Sequence, residues 1–212
     1  MLFRKAILLI HGFAGNSFDY GELGNELQYY LDFDVYTFTL PGHNKTFISN
    51  VSCEDWINSA ESMMDKLISI GYKNIYVVGH SMGGVIASYI ASKYNKYVKK
   101  VVLAAPAFRY MYFKNDKIDV IKSIKKSPEI FGGLDIHLVL SRILKVPIKT
   151  AMEFTKLVDE YHDSPKNITA PIMIIHGTSD KIVPSESCQY VHKVVKSKVN
   201  ILVNMDSVNH DC

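Results

Sequence analysis

Ile75-Tyr76-Val77-Val78 runs straight into Gly79-His80-Ser81-Met82-Gly83-Gly84, and Val85-Ile86-Ala87-Ser88-Tyr89-Ile90-Ala91 follows without a break. The first four residues, β-branched and aromatic, predict a short buried strand, and the last seven predict a helix. A serine at the apex of so sharp a strand-to-helix turn sits in strained backbone, and its neighbours two residues away must be small for the turn to close. The strain projects the hydroxyl into a cleft, where the following helix aims its N-terminal N–H groups. The letters Gly-x-Ser-x-Gly alone say little, because a chain this long shows them by chance roughly 7% of the time. The strand before and the helix after supply the context that makes Ser81 a candidate nucleophile.

Working outward, strand-like and helix-like runs alternate. Strands are expected at 6–10, 34–40, 75–78, 101–104, 172–175 and 199–203, and helices at 21–31, 53–70, 85–94 and 184–196. In the first helix Leu23, Leu27 and Leu31 recur at a spacing of four and mark one face. Strands separated by helices pair in parallel through right-handed crossovers. The fold class is therefore α/β, a doubly wound and mostly parallel sheet of about six strands. The rhythm lapses between 107 and 167, a stretch rich in aromatic and aliphatic residues such as Phe108, Tyr112, Phe131 and Leu144. It reads as a helical cap inserted over the C-terminal edge of the sheet, where open α/β sheets bind ligands. Extra core helices are the plainer reading. The organisation is then a core over 1–106, a cap over 107–167 and a second core part over 168–212.

Composition narrows the function classes. At 212 residues, 48% hydrophobic and 21% charged, the chain fits one soluble globular core. The net charge of +3 is small, and the lysines at 93, 96, 99, 100, 122, 125 and 126 read as solvated faces. No aromatic interleaving among them suggests nucleic-acid binding. Cys53, Cys188 and Cys212 have neither metal-ligand nor disulfide spacing. Cys53 lacks an elbow and is set aside as a nucleophile. No run is long enough to span a membrane, and 6–10 is too short for a signal sequence, so a cytoplasmic location is expected.

A serine hydroxyl needs an adjacent base, and the base needs a third group to hold its tautomer. Of eight histidines, His11, His80 and His176 stand at strand or turn ends and read as packing groups. His210 follows the last strand by a few residues, which brings it over the same sheet edge as Ser81. Asp180 lies in the loop after the 172–175 strand and is the expected acid. Asp206 and Asp211 compete through nearness to His210 alone. Oxyanion donors are expected from the backbone N–H of Met82 and, in His11-Gly12-Phe13-Ala14-Gly15, from that of Phe13.

The set His11-Gly12-Phe13, Gly79 to Gly84, His176-Gly177-Thr178-Ser179-Asp180 and a late His210 resembles the α/β-hydrolase superfamily over nearly the whole chain. Within it the chain resembles small capped bacterial carboxylesterases and monoacylglycerol-lipase-like esterases. The resemblance implies hydrolysis of a small ester through an acyl-enzyme, without metal or organic cofactor. Thioesterase, acyltransferase, lactonase and C–C hydrolase chemistry use the same three residues, and a binding protein of the same fold is a further reading. Two departures stand out. Pro41-Gly42-His43-Asn44 replaces the family's Pro-Gly-His-Gly, so that loop is expected to differ locally. The sequence also ends two residues past His210, where related folds continue into a C-terminal helix. A truncated chain, or one completed by a partner, is expected, with apolar strand surface exposed and His210 on a fraying end.

Overall fold

A computed structural model describes residues 5–31, 33–43, 51–109, 113–114, 117–118 and 148–210. Strands β1 (Lys5–Ile10), β2 (Phe33–Thr37), β3 (Ile75–His80) and β4 (Val98–Ala104) alternate with helices α1 (Gly21–Leu31), α2 (Cys53–Ser69) and α3 (Met82–Lys93). A two-stranded antiparallel hairpin follows, β5 (Phe113–Lys114) with β6 (Lys117–Ile118). Helix α4 (Ile148–Tyr161), β7 (Ile172–Gly177), α5 (Ser185–Val194) and β8 (Asn200–Met205) complete the described chain. The main sheet has six strands in the order β2-β1-β3-β4-β7-β8, every pair parallel. All six expected strands are there; β3, β4 and β7 run two or three residues longer than hydropathy marks, because ladder pairing continues through polar residues such as Lys100 and His176, whereas β2 stops at Thr37 and not at residue 40.

The apolar residues of β1, β3, β4 and β7 meet α2, α3 and α5 in one large cluster that includes Leu8, Ile10, Trp56, Val77, Ile86, Leu103 and Ile174. Helix α3 is buried nearly all round, which explains its lack of an amphipathic stripe. Helix α2 is the opposite case. Its buried stripe of Trp56, Ile57, Ala60, Met64 and Leu67 follows helical spacing, and a capping box between Ser52 and Asp55 starts it.

The other face of the sheet is covered thinly. A small cluster of Ile7, Leu9 and Val78 packs against partly buried residues that include Leu27 of α1. Leu23 and Leu31, expected on the same buried stripe, are 44% and 57% exposed. The helical spacing in α1 is real, but only Leu27 faces the sheet. Further along this face Met173, Ile201 and Met205 are also exposed, so the expected apolar strand surface is present.

Of the expected 107–167 insertion, most lies outside the described residues. Its last part, α4, is built into the main core through Leu157 and Val158, both fully buried. Tyr161 packs edge-on against Tyr89 of α3. Cys53, at the start of α2, donates its N–H to the Glu153 carboxylate at 3.0 Å. Among the described residues no helix is long and apolar enough to cross a membrane.

Candidate active site

Ser81 stands at the tip of β3 with φ 54° and ψ −118°, a left-handed conformation that a residue with a Cβ rarely adopts. The surrounding backbone enforces it. Ser81 donates its N–H to the Ala104 carbonyl at 2.9 Å, and its own carbonyl accepts from Gly84 and Ala107 at 2.9 and 3.1 Å. The small neighbours are sterically required. A Cβ on Gly79 would stand 2.6 Å from the Ala87 Cβ and closer still to the Gly83 carbonyl. One on Gly83 would meet the Ile10 and His11 carbonyls. The β3-α3 turn closes only because two glycines let α3 sit directly on β1 and β3. Met82 is the first residue of α3, so its N–H has no acceptor within the helix.

Strand β1 lies beside β3 at the point where the chain order reverses, so the loop after β1 reaches the elbow. A Cβ on Gly12 would come within 3.1 Å of both the Ser81 Cβ and His80 Nδ1. Glycine therefore permits the closest approach the loop can make to the serine. His11, only 1% exposed, holds this loop. Its Nε2 accepts from the Leu40 N–H at 2.9 Å, which leaves Nδ1–H to donate to the Gly12 carbonyl at 2.8 Å. Gly15 N–H donates to the same carbonyl at 3.1 Å. In a trans peptide the carbonyl and the next N–H point in opposite directions. Fixing the Gly12 carbonyl thus aims the Phe13 N–H away from His11. The Phe13 ring stacks on Phe154 of α4 at 5.1 Å and lies edge-on to Trp56 and His43.

Burial depresses the His11 pKa to about 4 and keeps the ring neutral. The sign follows from the unfolded value of 6.5. The stabilisation is complete above pH 6.5 and is lost as pH falls toward 4, because the unfolded chain takes up the proton first. Between pH 7 and 4.5 this group lowers stability by on the order of 2–3 kcal/mol. His11→Gln keeps an acceptor for Leu40 but cannot titrate. Chemical denaturation across this range is expected to show a shallower pH slope in the variant. The residual slope comes from His43, whose pKa burial also lowers.

The structure brings the candidate acid, Asp180, and the candidate base, His210, into contact. His210 Nδ1 donates to Asp180 Oδ2 at 2.8 Å, and the two side chains are 13% and 0% exposed. The other carboxylate oxygen, Oδ1, accepts the N–H groups of Ile182 and Val183 at 2.8 and 2.9 Å. Burial alone would raise the Asp180 pKa. The His210 hydrogen bond and charge, with the two amides, outweigh it and hold the carboxyl below its usual range.

Strand β8 is three places from β3, roughly 14 Å at the usual interstrand spacing. The loop after β8 must run back over the end of β7, and Gly177 lets it pass. A Cβ there would strike the Val208 and Asn209 carbonyls. The loop is stitched down on the way. Ser207, at φ 60°, donates its N–H to Thr178 Oγ1 at 3.0 Å, and Ser179 N–H donates to the Val208 carbonyl at 3.0 Å. His80 Nε2–H then donates to the His210 carbonyl at 2.8 Å. His210 is thus held at two points, its carbonyl by His80 and its ring by Asp180. His80, which reads as a packing group in the sequence, and Gly177 hold the loop after β8 in place. Their spacing beside Ser81 and Asp180 was the only available signal.

Asp206 is exposed on the loop, whereas Asp180 is the carboxylate that holds His210; Asp211 lies outside the described residues. Burial, reinforced by nearby Glu160 and Glu54, pushes the Cys53 thiol up to about 12, so it is not a thiolate at neutral pH.

A parallel sheet of this order, with a strained serine at its switch point and a carboxylate–imidazole pair from the loops after β7 and β8, defines an α/β-hydrolase architecture. The family model described as the alpha/beta hydrolase fold matches residues 5–125 of the 212, and the chain belongs to that family. It is similar to a carboxylesterase of Bacillus subtilis (strain 168), with 26% identity over 204 residues that span 91% of this chain and 79% of the relative. Among solved structures, one described for LipS and LipT, two metagenome-derived lipolytic enzymes, matches with a TM-score of 0.74 and 17% identity. That match covers 98% of this chain and 86% of the other. The monoacylglycerol lipase of Paleococcus ferrophilus gives 0.69 at 21% identity, covering 97% and 85%. At these identities the solved structures speak for the fold alone.

Proposed function

We propose that this chain is a serine esterase that cleaves a small carboxylic ester with a hydrophobic acyl or alcohol group. One observation carries the reading. A half-buried, carboxylate-bound His210 is tethered to the residue that precedes Ser81, and Ser81 occupies a strained turn facing Gly12. Ser81 Oγ attacks the ester carbonyl while His210 Nε2 takes its proton. Asp180 stabilises the imidazolium that forms and holds the ring in the Nδ1–H tautomer. The N–H groups of Phe13 and Met82 stabilise the tetrahedral oxyanion. His210 then protonates the leaving alcohol, and water repeats the two steps to release the acid. The apolar surroundings of Phe13, with Trp56 and with Phe154 of α4, form the wall against the hydrophobic group.

The test is a panel of p-nitrophenyl esters of graded chain length, monoacylglycerols and acyl-CoA thioesters. The reading expects ester hydrolysis together with labelling of Ser81 by a fluorophosphonate. A preference for thioesters would shift it to the thioesterase alternative, and an unlabelled, inert protein would favour the binding reading. Gly12→Ala tests the oxyanion loop separately. The added methyl meets the Ser81 Cβ, and displacement of this loop by under an ångström is expected to cost about 10–100-fold in kcat. Thermal melting should change little, since the loop needs to move only a few tenths of an ångström.

A further inference from the structure

We propose that His80 is a positioning residue for the base, a role that rests on the serine-esterase reading above. The base loop, residues 206–210, has no helix or strand of its own and crosses about three strand widths before it reaches the elbow. Its contacts with the β7 loop fix its height above the sheet through Thr178 and Ser179. They do not fix how far it extends toward β3. That coordinate is set by the His80 Nε2–His210 carbonyl hydrogen bond, at 2.8 Å. The two rings lie 4.8 Å apart, tilted by 49°.

The donor belongs to the residue bonded to Ser81. Nucleophile and base are thereby linked through one peptide unit, one imidazole and one hydrogen bond, so that movement of the elbow carries the base with it. The other ring nitrogen, Nδ1, lies 3.1 Å from where a side chain on Gly12 would begin, in the loop after β1. His80 therefore stands between all three parts of the site: the base, the nucleophile's backbone and the oxyanion loop. Reacting groups must be held to within a fraction of an ångström, and a 1 Å error costs about 100-fold. With a side chain that has no donor at the Nε2 position, the loop loses its tie to the elbow and His210 is held by Asp180 alone.

The closing experiment compares His80→Gln with His80→Asn. Glutamine can place its amide nitrogen where Nε2 stands, whereas asparagine reaches only as far as Nδ1. Both are polar and neither titrates. With a p-nitrophenyl ester as substrate, H80N is expected to lower kcat about 10–100-fold, with KM within about threefold. H80Q should restore kcat to within about threefold of the unaltered protein. Equal activity of the two variants, whether high or low, would overturn the proposal. Fluorophosphonate labelling of Ser81 should slow in H80N and recover in H80Q in the same proportion. A second measurement needs no substitution: nitrogen-15 shifts of the histidine rings should show neutral His80 protonated at Nε2, and the Nδ1–H tautomer would refute the tether. Failure of the underlying esterase reading looks different, since the unaltered protein would then hydrolyse no ester and resist labelling.

Discussion

Ser81→Ala is expected to lower kcat for p-nitrophenyl ester hydrolysis by about 10⁶-fold while KM and thermal stability stay close to those of the parent. In the proposed mechanism nucleophile, base and acid act as one unit, so that loss of the attacking oxygen removes nearly all the rate they supply. What remains comes from binding and from the Phe13 and Met82 amides. Stability should hold because alanine inherits the same backbone. Ser81 sits at φ 54° on account of hydrogen bonds from Gly84 and Ala107 to its carbonyl and of its own N–H to Ala104, none of which involves the hydroxyl. The strain stays in the variant, and so does the fold that maintains it. Melting temperature and initial rates on one preparation check both halves. Retention of more than about one part in a thousand of the parental rate would assign the chemistry to another group.

Much of this arrangement was legible in the chain because short-range sterics dictate it. A serine between glycines, after a β-branched run and before a helix, has few other structures open to it. The clash of a Gly83 side chain with the β1 carbonyls is the physical form of that rule. Asp180 was singled out by its place in the loop after the 172–175 strand; the Ile182 and Val183 amides that hold its Oδ1 are seen only in the structure. The course of the base loop was not legible. The position of His210 after the last strand puts it over the right sheet edge, but nothing in residues 204–210 declares the path they take, and their anchors are Thr178, Ser179, Gly177 and His80, distant in sequence and individually ordinary. The thin cover of α1 was hidden as well. Leucines at a spacing of four specify a helical face, but how much of that face meets the sheet depends on how the helix is set down on it. Only Leu27 reaches the small cluster on that side.

Asp180→Asn is the second large effect, expected at about 10⁴-fold in kcat, and the hydrogen bonds around the carboxylate give the reason. Oδ1 accepts from two backbone N–H groups, so an asparagine must place its carbonyl oxygen there and turn its NH₂ toward His210. An NH₂ group cannot accept the proton that His210 Nδ1 now donates at 2.8 Å. The ring is driven to the other tautomer, with its proton on Nε2, and Nε2 can then no longer take the proton from Ser81. The substitution is nearly isosteric, so the site keeps its shape and loses its base. Asp180→Ala makes the contrast informative. It removes the orienting group without imposing the wrong tautomer, and it leaves the Ile182 and Val183 amides without their acceptor. It should therefore cost more in stability than D180N, whereas only D180N locks the imidazole in the inactive form. Nitrogen-15 shifts of His210 in D180N should show neutral Nε2–H, and a kcat within tenfold of the parent would overturn the assignment of Asp180 as the group that orients the base.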